Sequence, residues 1–247
     1  MRPFEPATGS AGPRRTCDAD VAARAADLEA RYGDATPQEI LRIALDAFDL
    51  DDIAAVTSFG AESAVWLHML SEIEPSTPVL FIDTGKHFPA THRYRETLTQ
   101  TLGLKDVRLI KPDPEDLKRE DPVGMLFSQD ADRCCHLRKT LPLAGALQPF
   151  SAWMNGRKRH QSATRARMPA FEVDGPRLKV NPLAGWGPQD IRAYFERFDL
   201  PRHPLVAEGY PSIGCMPCTS RIKPGEDERA GRWRGRDKTE CGIHLAP

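Results

Sequence analysis

The chain has 247 residues, and its 34 basic and 35 acidic side chains leave a formal net charge of −1. This balance argues against a general nucleic-acid or membrane-surface protein, which usually carries a basic excess. The longest apolar runs, such as residues 79–82, are far too short to span a bilayer. We therefore expect neither nucleic acid nor membrane as a partner.

Residues 1–16 are predicted to form a disordered N-terminal tail. The first fifteen are rich in Pro, Gly and Ala and lack the continuous apolar segment of a signal peptide. Export is therefore not expected, and the chain should reside in the reducing cytoplasm, where structural disulfides are rare. The six cysteines of the chain then need another explanation.

Apolar spacing beyond this tail predicts alternating helices and strands. Two helices come first, at 21–32 and from 37 to about 48. Five short strands follow, at 53–57, 79–82, 107–110, 151–154 and 178–181. Further helices are expected from residue 64, near 92–101 and from 188 or 189. The alternation predicts an α/β fold with a doubly wound, mainly parallel sheet, which binds ligands at the carboxyl ends of its strands.

The regular pattern breaks down after Leu200, where Pro, Gly, Cys, Arg and Lys dominate. We expect a loop-rich tail there and see no linker that would require a second large domain. The predicted division is an α/β domain over residues 17–228, which carries the metal site, and a mobile C-terminal catalytic tail over 229–247.

The first predicted strand runs directly into a turn of small and polar residues, 58–63, before a helix begins. Such a turn directs backbone N–H groups and a helix N-terminus at an anion, although many strand-to-helix turns look similar. Glu62 would oppose an anion if it pointed inward, so we expect it to cap the helix or to bind elsewhere.

Four cysteines occur in two pairs, the adjacent Cys134 and Cys135 and the spaced Cys215 and Cys218. The spaced pair alone is compatible with zinc, a redox disulfide or an iron–sulfur cluster. Neighbouring residues diverge in direction, so an adjacent pair fits poorly with the common zinc patterns. Four cysteines match the ligand number of a [4Fe–4S] cluster, which the pattern favours without excluding zinc.

A fifth cysteine, Cys241, lies in the polar C-terminal tail near Arg236, Lys238 and His244. Cationic neighbours lower the pKa of a thiol, so an exposed Cys241 is a candidate nucleophile. An inert surface thiol is an equally good interpretation of the local sequence. Cys17, beside the predicted disordered N-terminal tail, is interpreted as having no role in a site.

Basic side chains gather in three groups, at 138–139, 157–167 and 229–236. Runs of charge are usually solvated faces of a protein. Their positions beside predicted strand ends or cysteine motifs, in a chain with no net basicity, favour a convergent oxyanion site, because arginine can bond two oxygens of a phosphate or sulfate.

Taken in order, these motifs resemble the thioredoxin-dependent sulfonucleotide reductases, specifically the branch that reduces adenosine 5′-phosphosulfate. The resemblance covers about 53–244 and rests on the segments Ser58-Phe-Gly-Ala-Glu-Ser63, Ile82-Asp-Thr-Gly85, Cys134-Cys-His-Leu-Arg-Lys139, Gly209-Tyr-Pro-Ser-Ile-Gly-Cys-Met-Pro-Cys-Thr219 and Glu240-Cys-Gly-Ile-His-Leu245. It implies an adenine-nucleotide α-hydrolase-like fold related to ATP pyrophosphatases. Phe59 and Glu62 stand where the ATP-cleaving enzymes have Gly and Asp.

The resemblance also implies roles for individual residues. Cys134, Cys135, Cys215 and Cys218 match the ligands of a [4Fe–4S] cluster, and Cys241 matches the catalytic nucleophile. The residues implied in substrate binding are Ser58, Phe59, Gly60, Ser63, Asp83, Thr84, Gly85, Lys139, Arg157, Ser162, Arg165, Arg229, Arg232 and His244.

The implied reaction begins when the Cys241 thiolate attacks the sulfur of adenosine 5′-phosphosulfate, which releases AMP and leaves an S-sulfocysteine. Thioredoxin then releases sulfite, a step of assimilatory sulfate reduction. Two alternatives remain: reduction of 3′-phosphoadenosine 5′-phosphosulfate, whose typical enzymes lack the cysteine pairs, and a non-catalytic metal-binding nucleotide sensor. The sequence leaves the oligomeric state open, and a homo-oligomer is compatible with it.

Overall fold

The structure is a computed structural model, and it describes residues 18–244, without the side chains at the two ends of that range. The tail predicted for residues 1–16, together with Cys17, lies outside the described residues. The helices are α1 (Asp18–Tyr32), α2 (Pro37–Ala47), α3 (Ser63–Ile73), α4 (Pro89–Thr101), α5 (Pro114–Glu120), α6 (Leu126–Gln129), α7 (Ala131–Cys135), α8 (Leu141–Ala146), α9 (Pro188–Arg197) and α10 (Pro204–Ala207). The strands are β1 (Ile53–Thr57), β2 (Val79–Ile82), β3 (Val107–Ile110), β4 (Ala152–Met154), β5 (Phe171–Asp174) and β6 (Arg177–Val180).

The strands form one sheet in the order β3-β2-β1-β4-β6-β5. Every neighbouring pair is parallel except β5 and β6, which are antiparallel. This arrangement confirms the predicted doubly wound, mainly parallel fold. Strands β1 and β2 are buried along their whole length, which explains their uninterrupted apolar sequences.

Alternate residues of the central strands pack into two separate cores on the two faces of the sheet. Ile53 and Ala55 of β1 belong to the larger core, which includes apolar residues of α2, α3 and α9. Ala54 and Val56 of the same strand belong to the smaller core, which contains residues of α8. The alternation follows from the two-residue period of a strand, and it fixes the register of β1.

Strand β5 and all of the helices between residues 111 and 150 are not predicted by the apolar pattern of the sequence. Strand β5 reads Phe-Glu-Val-Asp, so only half of it is apolar, as suits a sheet edge. Helices α6 and α7 contain 4 and 5 residues, too few to show an amphipathic period. The predicted ends of some elements differ slightly from the observed ones. Helix α4 begins at Pro89 rather than near His92, and β6 covers Arg177–Val180 rather than 178–181.

After Leu200 the chain forms few regular elements, as expected. Helix α10 and short 3₁₀ turns are the regular helical segments described there. Among residues 18–244, no helix combines the length and the apolar character that crossing a bilayer requires.

Candidate active site

The carboxyl ends of β1, β2 and β4 open onto a cavity of about 200 Å³. Nine residues singled out in the sequence line it: Ser58, Gly60, Ser63, Lys139, Arg157, Arg165, Arg229, Arg232 and Cys241. Six Lys and Arg side chains but only two carboxylates, Glu62 and Glu240, are among its lining residues. The excess of positive charge favours an anionic ligand.

The turn between β1 and α3 presents backbone and hydroxyl groups to this cavity. Phe59 adopts a left-handed conformation with φ of 46°, and its N–H bonds the Thr57 hydroxyl at 3.2 Å. Its ring is fully buried and meets Phe81 edge-on, with the ring centroids 5.5 Å apart. The buried ring anchors the turn, while Ser58 and Gly60 line the cavity. Phe59 is thus a core side chain in this structure, although the family resemblance places it among substrate contacts.

Glu62 pairs with a lysine that the sequence analysis did not select. Its carboxylate makes no side-chain cap to α3 and lies 2.8 Å from the Nζ of Lys158, which is almost fully buried. Lys158 also donates to the Gly156 carbonyl at 3.0 Å. Burial lowers the pKa of Lys158, and the Glu62 carboxylate opposes that shift. Of the two predicted roles of Glu62, capping the helix or binding elsewhere, this pair agrees with the second, and Glu62 still lines the cavity.

Two arginines of the 157–165 segment line the cavity but have protein partners. Arg157 donates to Asn181 at 3.1 Å and pairs with Glu172. Arg165 forms a bidentate pair with Glu240, with both N–O distances at 2.6 Å. Ser162, implied as a substrate contact, instead donates to the same Glu240 carboxylate at 2.8 Å.

Lys139 and Arg232 are the cations beside the Cys241 thiol. Burial by itself lowers the pKa of Lys139, but the Cys215, Cys241 and Cys135 thiols raise it overall. Arg232 stacks on Trp233, with its guanidinium 4.4 Å from the ring centroid, and its buried Nε has no hydrogen-bond partner among the described residues. Its placement requires a glycine at 214, because a Cβ there would lie 2.3 Å from the Arg232 Nη2.

Cys241 is buried, which corrects the expectation of an exposed thiol. Its pKa is lowered well below the usual range, first by a hydrogen bond from the Cys135 thiol and then, against the effect of burial, by Lys139, the Ile243 N–H and Arg232. The neighbours in sequence do not supply this activation. Lys238 pairs with Asp132, and Arg236 donates to the Phe127 carbonyl at 2.8 Å.

The four remaining described cysteines line a second, smaller cavity beside the first. They are Cys134, Cys135, Cys215 and Cys218, and Lys139 and Arg232 lie on the walls of both cavities. Burial raises the pKa of Cys134 to about 11 and raises that of Cys218. Helix α7 and the 215–218 segment, far apart in sequence, therefore bring four thiols to one enclosed space.

The donor set fits a [4Fe–4S] cluster in ligand type and number. Within residues 18–244, no three Cys, His, Asp or Glu side chains are gathered closely enough to hold a single metal ion.

The Asp83-Thr84-Gly85 turn lies against the cysteine cavity rather than along the larger one. Thr84 is buried, and its hydroxyl is 3.3 Å from the Cys215 sulfur. The Thr84 carbonyl accepts a hydrogen bond of 2.9 Å from Arg138, which pairs with Asp121 at 2.6 Å. The turn therefore braces the cysteine loops in this structure. The side chain of His244 lies outside the described part.

The functional residues that sequence reasoning missed are mainly partners of predicted ones. Glu240 and Lys158 lie inside the quoted motif and the arginine-rich segment, but nothing in a sequence shows which buried charges pair. Residues 211–214 line the cavity as well. Their position in the sequence directly before Cys215 is the feature from which this role could have been predicted.

Comparison with known proteins gives a consistent result. Residues 52–221 match the family model described as the phosphoadenosine phosphosulfate reductase domain. A curated relative from Chelativorans sp. (strain BNC1), named adenosine 5′-phosphosulfate reductase, is 51% identical over 92% of this chain and 93% of its own.

Solved structures support the same fold. The phosphate complex of phosphoadenylyl-sulfate reductase from Candida auris superposes with a TM-score of 0.68 at 26% identity, over 81% of this chain and 97% of the other. FMN adenylyltransferase from Candida glabrata shares the fold at 14% identity, with a TM-score of 0.54 over 90% and 83% of the two chains. The fold is therefore adenine-nucleotide α-hydrolase-like, and the chain belongs to the phosphoadenosine phosphosulfate reductase family.

Proposed function

We propose that this chain is an enzyme that reduces adenosine 5′-phosphosulfate to sulfite and AMP with a thioredoxin as electron donor. The name of the relative at 51% identity supports this substrate. The observation that carries the proposal is the Cys241 thiol beside Lys139 and Arg232, in a cavity at the carboxyl ends of the strands. That arrangement joins an activated nucleophile to an anion site.

The first step forms an S–S bond and breaks an S–O bond. The Cys241 thiolate attacks the sulfonate sulfur, and the electron pair of the broken bond leaves on the phosphate oxygen of AMP. The enzyme then carries a cysteine S-sulfonate. Lys139 and Arg232 neutralise charge on the sulfonate and on the leaving phosphate, together with Arg229. Burial lowers the pKa of Arg229 to about 10, so it remains charged at neutral pH.

The second step needs a two-electron dithiol reductant, for which we propose thioredoxin in a reducing cytoplasm. One reductant thiolate attacks the Cys241 sulfur and displaces sulfite, and its second thiol then forms the reductant's disulfide and restores the Cys241 thiol. Cys241 is buried in the structure. The tail over 229–247 must therefore move outward to expose the sulfur to a protein partner.

The residues proposed to hold a [4Fe–4S] cluster are Cys134, Cys135, Cys215 and Cys218. The four thiols on the walls of one cavity support the cluster, which offers separate irons to separate thiolates. When bound, such a cluster would supply an organising and electrostatic influence on the anion site, since the thiols carry both electrons of the reaction. A Cys135 that ligates metal has no proton to donate to Cys241. Lys139, Arg232 and the Ile243 N–H are then the groups that hold the thiolate.

Mass spectrometry of the anaerobically purified protein incubated with adenosine 5′-phosphosulfate and no reductant tests the proposal. We expect a sulfonate adduct on the Cys241 peptide, and none in Cys241→Ser, which should also lose sulfite production. Sulfite production that survives Cys241→Ser would contradict the nucleophile. A colourless protein with stoichiometric zinc would contradict the cluster.

The rival substrate is 3′-phosphoadenosine 5′-phosphosulfate, which the family description and the Candida auris reductase's name favour. The four-cysteine set and the relative at 51% identity favour the unphosphorylated nucleotide. Comparing kcat/KM on the two nucleotides decides between them. A preference for the 3′-phosphorylated substrate would overturn our choice.

A further inference from the structure

The carboxylate that immediately precedes the nucleophile is fully engaged by the arginine-rich segment. One Glu240 oxygen accepts from the Arg165 Nε at 2.6 Å and from the Ser162 hydroxyl at 2.8 Å. The other accepts from the Arg165 Nη2 at 2.6 Å. Both side chains are buried, with 8% and 6% of their surfaces exposed. A buried bidentate pair of this kind has a defined geometry, which an exposed pair lacks.

The same arginine connects the tail to the turn at the opposite wall of the cavity. The Arg165 Nη1 donates to Gln161 at 2.5 Å, and the Gln161 amide donates to Glu62 at 3.1 Å. Glu62 follows Gly60 in the turn between β1 and α3 and pairs with the buried Lys158. A continuous polar network therefore joins the turn between β1 and α3, the arginine-rich segment and the residue before Cys241.

We propose that Glu240 is a positioning residue whose pair with Arg165 holds the tail closed and the Cys241 thiol over the cavity. The inference deepens the proposed function and rests on it. Replacing Glu240 leaves a buried guanidinium without its counter-charge, which favours the open tail. The second step of the reaction requires that open tail. The pair thus sets the balance between attack on the nucleotide and access for the reductant.

The variant that tests this is Glu240→Gln, which keeps the size of the side chain and removes its charge. The matched control is Glu226→Gln. Glu226 also makes a bidentate pair, with Arg234 at 2.9 and 2.7 Å, but the pair is more exposed and lies away from the cavity. Arg165→Met and the double variant Arg165→Met/Glu240→Gln complete a double-mutant cycle. The cycle shows whether the effects of the two substitutions depend on each other.

The first measurement uses no substrate. Iodoacetamide alkylation of the Cys241 peptide in the full chain is followed by mass spectrometry as a function of pH. We expect the plateau rate at high pH to rise about tenfold in Glu240→Gln and in the double variant, because the thiol becomes accessible. The control should match the wild type. A changed apparent pKa with an unchanged plateau would overturn the proposal, because it would mean that Glu240 acts on the thiol charge alone.

The second measurement is the single-turnover rate of sulfonate transfer to Cys241. Glu240→Gln should slow it about tenfold while changing the Kd of AMP less than about threefold. An unchanged transfer rate, or an equal loss of AMP affinity, would overturn the proposal. A wild-type protein that forms no adduct would refute the proposed function instead, and the alkylation experiment would still judge the positioning role.

Discussion

The two walls of the cavity are held in place by different interactions. The wall at the strand ends rests on buried rings, among them Phe59 and Trp66, which belong to the main core. The tail wall is attached by polar contacts, of which Glu240 with Arg165 and Lys238 with Asp132 are examples, and by the buried Trp233. Releasing the first wall would expose the main core, whereas releasing the second breaks ion pairs and exposes Trp233, which lies outside that core. The difference agrees with the proposed reaction, in which the nucleotide site stays fixed while the Cys241 thiol is enclosed in the first step and exposed in the second.

The largest effect should follow from damage to the sheet wall. Phe59→Ala removes a fully buried ring that packs on Phe81. We expect a loss of about 3–5 kcal/mol in the free energy of unfolding, measured by urea denaturation. The nucleotide affinity of the protein that remains folded should change little. Intact stability with lost AMP binding would show instead that Phe59 contacts the substrate, as the family resemblance implies.

A smaller effect concerns the segment that leads from α9 into the tail. His203 is buried, its Nδ1 accepts from the Leu205 N–H at 3.2 Å, and its Nε2 lies 3.1 Å from the Thr91 hydroxyl. Burial lowers its pKa to about 4. Between about pH 6.5 and 4 the unfolded chain binds a proton that the folded chain excludes, so stability falls as the pH falls.

His203 should lower the free energy of unfolding by about 2 kcal/mol when the pH falls from 7.5 to 5.0. His87 has a pKa lowered to about 4 as well, so it adds to the same slope. His203→Asn keeps a cap acceptor for α10 and should remove roughly half of the pH dependence. Urea unfolding at the two pH values measures this pH dependence. If His203→Asn left it unchanged, His203 would not be its source.

The smallest expected effect concerns Gly214, whose backbone packs against Arg232 of the tail wall. Gly214→Ala would place a Cβ 2.3 Å from the Arg232 Nη2, so the guanidinium must leave its present position. We expect sulfonate transfer to slow about tenfold with little change in stability. Gly145→Ala is the control, because a Cβ at that helical position meets nothing within 4 Å. Equal transfer rates in both variants would show that Arg232 need not occupy this position.

The same contrast explains which parts of the structure could be predicted. The runs of β1 and β2 predicted these strands to the residue, because buried parallel strands leave a nearly continuous hydrophobic signature. Strand β3 was predicted to the residue as well, although it is not buried and contains Arg108. The turn at 58–63 followed from its place after β1. Cys241, in contrast, was expected on an exposed tail and is buried, and one of its activating cations, Lys139, comes from a segment about a hundred residues away. Pairing between buried charges, such as Arg165 with Glu240, depends on tertiary placement that no local pattern encodes.

The turn after the adjacent cysteines has a consequence for how the site would fail. Residues His136–Thr140 form a π-helical turn, wider than an α-helical one. It carries Arg138, which braces Thr84 and Asp121, and Lys139, which faces Cys241. Deleting one residue there would narrow the turn to the α-helical repeat and shift Arg138 and Lys139 relative to the elements they contact. The brace and the cation beside Cys241 would then lose their alignment together, so the site depends on the length of this turn as well as on its side chains.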